Sequence, residues 1–197
     1  MYMFTGIITD TGIVSKASRT RLSFSARPRL IRALTQGGSI AVDGACLTVV
    51  AKGKNSFSTD IMDETIQRTN LGYLKAGCGV NLELPATATS FLSGHIVQGH
   101  VDGVGTVERI QKKSADHVLA IGIAPALTRC IVPKGSVTVN GISLTVIGVG
   151  KKNFSVGIIP HTWGTTMLRD LARGAPVNVE VDVLAKYIEK LIKKRKI

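Results

Sequence analysis

"VDGACLTVV" occupies residues 42–50, and "VNGISLTVI" occupies 139–147, ninety-seven positions later. Each stretch is a turn dipeptide followed by an alternating run. Asp43-Gly44 and Asn140-Gly141 are dipeptides favoured in type I′ hairpins, where both central residues must take positive φ. In the strand that follows, Cys46 and Thr48 share one face while Leu47 and Val49 share the other; in the second copy Ser143 and Thr145 oppose Leu144 and Val146. The aliphatic face is expected to fill a barrel. The thiol and hydroxyl face is left to meet water or a ligand, and its recurrence predicts two related small-molecule sites.

The pairing extends outward without a gap from Gly38 with Gly135 to Leu84 with Val181. It matches Gly38-Ser39 to Gly135-Ser136, Phe57-Ser58 to Phe154-Ser155, and Val80, Asn81 and Glu83 to Val177, Asn178 and Glu180. Upstream, with the offset shortened to 93, "GIITDTGIV" (6–14) follows "GHVDGVGTV" (99–107) in outline. The chain therefore reads as two copies of one module, 1–90 and 91–184, joined through "LPATATSF". Residues 185–197 fall outside the repeat.

Within each copy most signals are those of strands. "RLSFSA", "SIAV", "CLTVV" and "FSTDIM" are short alternating runs divided by turn residues, the pattern of a small antiparallel barrel. "PRLIRAL" and "PALTRCI" read as short helices opened by proline, and "DETIQRTNL" and "HTWGTTML" as another pair of helical turns. From Leu184 onward, Leu184, Ile188, Leu191 and Ile192 form one stripe of a terminal helix. The fold class is all-β with short helices: two duplicated antiparallel β-barrels plus a C-terminal helix.

Composition narrows the function classes. The 197 residues are 44% hydrophobic, enough to fill two cores. No apolar run is long enough to span a bilayer, and "MYMFTGIITD" lacks the regions of a signal peptide, so a cytoplasmic location with no membrane partner is expected. Cys46, Cys78 and Cys130 show no CxxC spacing, so neither a disulfide framework nor a zinc cluster is indicated. The net charge of +12 suggests a polyanionic partner. Its distribution weakens that reading: the tail "KYIEKLIKKRKI" alone supplies +5, and the cluster Arg19, Arg21, Arg27, Arg29 and Arg32 lacks a series of interleaved aromatics to stack on bases, with Phe24 alone among them. No nucleic-acid role is expected, and steeply salt-dependent binding to DNA or RNA would be its sign.

"MFTGIITDTG", "VDGACLTVV", "SGHIVQGHVDGVG", "VNGISLTVI", "IIPHTW" and "VNVEVD" together resemble the α-type riboflavin synthase family, built from two lumazine-binding repeats, over essentially the whole chain. The resemblance implies two six-stranded Greek-key barrels and a homotrimer held by the terminal helix. It implies a transferase reaction: two molecules of 6,7-dimethyl-8-ribityllumazine dismutate by four-carbon transfer to riboflavin and 5-amino-6-(D-ribitylamino)uracil. No cofactor or metal is implied. A non-catalytic lumazine- or flavin-binding protein of the same fold is the alternative, and association with a lumazine synthase shell stays open. Because the resemblance starts at Met3, Met1 and Tyr2 are expected to be an upstream addition.

Matching motifs assigns the residues. The N-terminal site is expected to hold Gly6, Ile7 and Ile8, Ser39, Cys46, Leu47 and Thr48, and the run Asp60, Ile61, Met62, Asp63, Glu64 and Thr65, with Glu64 and Thr48 as hydrogen-bonding candidates. The C-terminal site is expected to hold Gly99, His100 and Val101, Lys134, Ser143, Leu144 and Thr145, and the run Ile158, Ile159, Pro160, His161 and Thr162. His100 is the leading proton-transfer candidate, since imidazole titrates near neutrality. His95 and His161 rank lower, and His117 reads as exposed. Cys46, paired with Ser143, reads as a polar contact more than a nucleophile. Asp182 matches an acidic position near the reacting rings, and its repeat counterpart Pro85 breaks the symmetry. Phe4 is expected to cover the flat ligand and exclude water. Asn140, where the family also has aspartate, reads as structurally neutral.

Overall fold

The computed structural model describes residues 3–194; Met1, Tyr2 and residues 195–197, which include Arg195 and Lys196 of the basic tail, lie outside it. The first six strands are β1 (Asp10–Ala17), β2 (Arg21–Ala26), β3 (Ser39–Val42), β4 (Ala45–Lys52), β5 (Ser56–Asp60) and β6 (Gly79–Glu83). They close into a barrel in the order β1-β2-β5-β4-β3-β6. The second six are β7 (Gly103–Lys113), β8 (Asp116–Gly122), β9 (Ser136–Val139), β10 (Ile142–Val149), β11 (Asn153–Ile158) and β12 (Pro176–Val181), and they close in the corresponding order. Every pairing is antiparallel, and the order is a Greek key.

Alternation decides what each strand buries. Leu22 and Phe24 of β2 point inward, and Phe24 stacks on its cross-strand partner Phe57 with centroids 5.0 Å apart. Leu47 and Val49 fill the first core, and Leu144 and Val146 the second, while Thr48 and Thr145 are exposed as the alternation requires. Short helices α1 (Pro28–Ala33) and α3 (Pro125–Thr128) both start on proline. Helices α2 (Asp63–Arg68) and α4 (Pro160–Thr165) each run into a 3₁₀ turn, Asn70–Tyr73 and Met167–Asp170. The chain ends in α5 (Val183–Lys194).

The barrels meet across a pseudo-twofold axis marked by contacts between equivalent residues. Phe4 and Val97 bridge antiparallel, each N–H donating to the other's carbonyl at 2.8 and 3.1 Å. The two hairpin tips also touch. Asp43 and Asn140 both have φ 44°, as the I′ reading required. A Cβ on Gly44 would stand 2.6 Å from the Gly141 nitrogen, so the tips need glycine for close approach as well as for φ.

Behind these tips lies a buried polar network that corrects the neutral reading of Asn140. Its Oδ1 accepts from the Asn178 N–H at 2.7 Å and from the Asn70 side chain at 3.2 Å. Asn178 in turn donates to the Asp43 carbonyl and the Asn70 Oδ1, both at 2.8 Å, and accepts from the Asn70 N–H. Asp43 Oδ1 accepts from the Asn81 N–H at 2.8 Å. Burial pushes the Asp43 carboxyl up to about 7 against the pull of the Asn81 and Asn70 donors. A second aspartate at 140 would place another carboxylate in the same buried cluster, so asparagine spares the seam a like-charge pair.

The raised Asp43 value makes the seam pH-sensitive in a definite direction. The unfolded chain ionises Asp43 near pH 4 while the folded chain holds the proton to about pH 7, so stability present at low pH is lost as pH rises across that window. Asp43→Asn keeps the acceptor for Asn81 and removes the titration. Relative to the variant, the parent chain should lose roughly 4 kcal/mol of unfolding free energy between pH 4 and 7. Denaturant curves across that range would run parallel if Asp43 ionised freely in the folded state.

Candidate active site

The segments that enter the barrels are held by two buried carboxylates. Glu83 ends β6 and accepts from the Thr5 N–H and hydroxyl (2.7 and 2.8 Å) and the Gly6 N–H (3.1 Å). Glu180 in β12 does the same for the Gln98 N–H (2.8 Å) and the Gly99 N–H (3.0 Å). Burial raises both carboxyls, and the amide donors pull them back. The repeat match Val-Asn-x-Glu already carried this signal, yet neither glutamate was among the expected site residues.

These anchors send each entering segment to the opposite barrel, which corrects the expected grouping. The Ser143 N–H donates to the Gly6 carbonyl at 2.8 Å, and the Cys46 N–H donates to the Gly99 carbonyl at 2.9 Å. Ile8 packs on the second core and Val101 on the first. Gly99, His100 and Val101 therefore border Cys46, while Gly6, Ile7 and Ile8 border Ser143. Matching by repeat missed this because a linear alignment cannot tell whether a segment packs on its own module or its twin.

At the first face, Ser39 pairs with Thr48 and Ala41 with Cys46 across β3 and β4. Burial pushes the Cys46 thiol up, so the group is a thiol and not a ready thiolate nucleophile. His100 is exposed at the edge of this face. Phe4 is 0% exposed and clusters with Ala41, Val97 and Cys46, so its ring is a floor beneath Cys46 and not an open lid. Ile61 enters the first core, and Met62 is exposed ahead of α2. The acidic residues nearby bind arginines: Asp60 with Arg21 (2.6 Å), Asp63 with Arg19 (3.5 Å) and Glu64 with Arg68 (3.1 Å). The Arg21 hydrogen bond lowers the Asp60 carboxyl. The Thr65 carbonyl accepts the Thr69 hydroxyl.

The second face has a different polar backing. His95 is buried, its Nδ1 2.7 Å from Ser143 Oγ and its Nε2 3.3 Å from Thr138 Oγ1. Burial lowers its imidazole while the Asp182 charge raises it, which favours the neutral ring. A neutral imidazole that donates at one nitrogen accepts at the other, so the Thr138–His95–Ser143 chain couples the direction of the serine proton to the His95 tautomer. Among the described residues the first face has no counterpart: Ala41 stands at the position of Thr138 and Cys46 at that of Ser143. His95, ranked low from sequence, is the histidine that touches a face residue; Ser136 and Thr138, the cross-strand partners of Thr145 and Ser143, were missed.

The remaining expected residues frame this face. Asp182 caps α5, accepting from the Leu184 N–H at 2.9 Å. Lys134 is exposed at φ 66°, its N–H on the Val146 carbonyl. Ile158 and Leu144 enter the core, Ile159 and His161 are exposed, and Pro160 opens α4, which contains Thr162. His117, expected to be exposed, instead stacks on Trp163 of α4 with centroids 3.9 Å apart, and its Nδ1 is buried without a partner. The two residues are far apart in sequence, so no periodicity signals the stack.

Comparison with known proteins places this geometry. The lumazine-binding-domain family model matches residues 5–85 and 98–182, and the riboflavin synthase of Mycobacterium tuberculosis is 44% identical over 202 residues, 97% of this chain and 98% of its own. The chain belongs to the riboflavin synthase family. It is also 38% identical to the riboflavin synthase of Bacillus subtilis, covering 98% of this chain and 91% of that one. Among solved structures it resembles LumP complexed with riboflavin, at a TM-score of 0.85 and 28% identity over 91% of this chain and 99% of LumP. The riboflavin synthases are transferases, and both lumazine-binding repeats are complete here. No helix among the described residues is long and apolar enough to cross a membrane.

Proposed function

We propose that the chain is a cytoplasmic riboflavin synthase that binds two molecules of 6,7-dimethyl-8-ribityllumazine, one on the Cys46–Thr48 face and one on the Ser143–Thr145 face of a neighbouring copy. The observation that carries this is the pair of matched faces with unlike polar backing. Equal shapes suit two copies of one substrate; unequal groups, a half-buried thiol against a serine held by His95, suit one donor and one acceptor. A four-carbon unit leaves one pteridine as it joins the other, so riboflavin and 5-amino-6-(D-ribitylamino)uracil form together and the atoms balance without an added reductant.

Within one chain the two faces flank the seam, and Thr48 and Thr145 stand exposed on them. A carbanion formed on a substrate methyl group needs water excluded, and a second subunit laid over each face supplies that cover. Bringing the rings together this way makes the encounter effectively unimolecular, an effect worth roughly 7–11 kcal/mol in favourable geometry. We read residues 1–90 and 91–184 as the two pteridine barrels and 185–197 as the helix that assembles a homotrimer.

Incubation of the purified chain with the lumazine alone should yield riboflavin at half the rate of substrate loss. Binding without turnover would leave a non-catalytic lumazine- or flavin-binding protein. In the same assay His95→Ala should lower kcat by about 100-fold with little change in KM, because a proton-handling group stabilises the transition state more than the bound substrate. A rise in KM alone would reduce His95 to a binding contact.

A further inference from the structure

One ionic contact ties the second barrel to the terminal helix, which lies outside the repeat. Lys186 on α5 places Nζ 2.6 Å from Asp102 Oδ2, the side chains 27% and 21% exposed. The same Oδ2 accepts the Val181 N–H at 2.9 Å, and the Asp102 N–H donates to the Val179 carbonyl at 2.9 Å. Asp102 thus ends the loop whose beginning, Gln98 and Gly99, is held by Glu180. Two carboxylates grip the two ends of one short loop, and they repel: Asp102 raises the Glu180 carboxyl, and Lys186 lowers it.

The first repeat shows the device is not required by the fold. By the repeat match, Thr9 stands where Asp102 stands, and its N–H makes the corresponding bond to the Leu82 carbonyl at 3.3 Å. Lys186 lies on α5, outside the repeat, so the first barrel has no equivalent of its helix. Glu83 holds Thr5 and Gly6 and is raised by burial alone, with no neighbouring charge among the described residues acting on it, while the nearby Asp10 pairs with Arg27. The lysine belongs to the loop that presents Gly99 to Cys46 and carries His100.

We propose that Lys186 is a positioning residue through which α5 sets the Gln98–Asp102 loop, and with it Gly99 and His100, against the Cys46 face. It offsets the repulsion between Asp102 and Glu180 and fixes the loop to the helix that subunit assembly would bury. The Ser143 face is independent of it, so the pair distinguishes one site from the other. The consequence for turnover rests on the riboflavin synthase reading; the loop contact does not.

Amide hydrogen exchange in the ligand-free full chain tests it, with sedimentation to show that assembly is unaltered. In Lys186→Met, exchange at the Gly99 and Cys46 amides should quicken about tenfold, while the matched Gly6 and Ser143 amides keep their rates. Lys186→Arg should restore the parent rates. Asp102→Asn, which keeps an acceptor for Val181, should reproduce Lys186→Met, and the double variant should be no worse than either single one. In the lumazine assay kcat should fall several-fold in Lys186→Met and recover in Lys186→Arg. Unchanged exchange at all four amides, an equal rise at both pairs, or failure of arginine to rescue would overturn the proposal. Because exchange needs no substrate, a chain that made no riboflavin would end the enzyme reading and leave this result standing.

Discussion

Gly99→Ala is expected to lower riboflavin formation by about two orders of magnitude, the scale of a reacting group displaced by about an ångström. Gly99 has φ 76°, and a Cβ there would stand 2.6 Å from Cys46 Cβ and 2.9 Å from the Cys46 nitrogen. Neither neighbour can yield cheaply, since both belong to β4, whose Leu47 and Val49 are locked in the core. The loop must move instead, breaking the bond between the Cys46 N–H and the Gly99 carbonyl and loosening the Glu180 anchor. Overpacking of this kind costs about 1–3 kcal/mol of stability, so a folded protein with a displaced His100 is the expected product. Rates at saturating lumazine, read beside melting curves, check it. Near-normal turnover would show that the close approach is packing alone.

Replacing Leu184, Ile188 and Leu191 together by glutamate should dissociate the assembly and abolish turnover while leaving both barrels folded. The three side chains are 56–64% exposed on α5, an apolar face with too little of its own chain to cover it. Such stripes are buried by symmetry mates. The substitutions spare Lys186, whose contact with Asp102 lies on the barrel side. Sedimentation should report monomers, and fluorescence titration should still detect lumazine binding, weakened because each face has lost its cover. A monomeric variant with full activity would refute the shared-site arrangement.

What could be read from the sequence was whatever depends on neighbours along the chain. Asp43-Gly44 and Asn140-Gly141 specified their turns because φ > 0 is a local steric condition. Leu47 and Val49 went inward, and Cys46 and Thr48 did not, because strand side chains alternate. The duplication, and with it the number of barrels and of faces, followed from residues matched at a constant offset.

Tertiary structure decided the rest. The alignment assigned Gly6 to Cys46 and Gly99 to Ser143, whereas the folded chain exchanges them through Glu83 and Glu180. It ranked His95 below His100, since nothing within "SGHIVQGH" reveals that one imidazole lies against Ser143 and the other at the surface. It took Asn140 for a structurally neutral turn residue, though the tip is buried against its own repeat image. Each of these depends on hydrogen bonds and burial between residues distant in sequence, set by how two nearly equal barrels dock. The sequence determined two copies of one barrel with a polar face on each; docking across the pseudo-twofold axis decided which groups back each face, because only there do segments of one repeat meet the strands of the other.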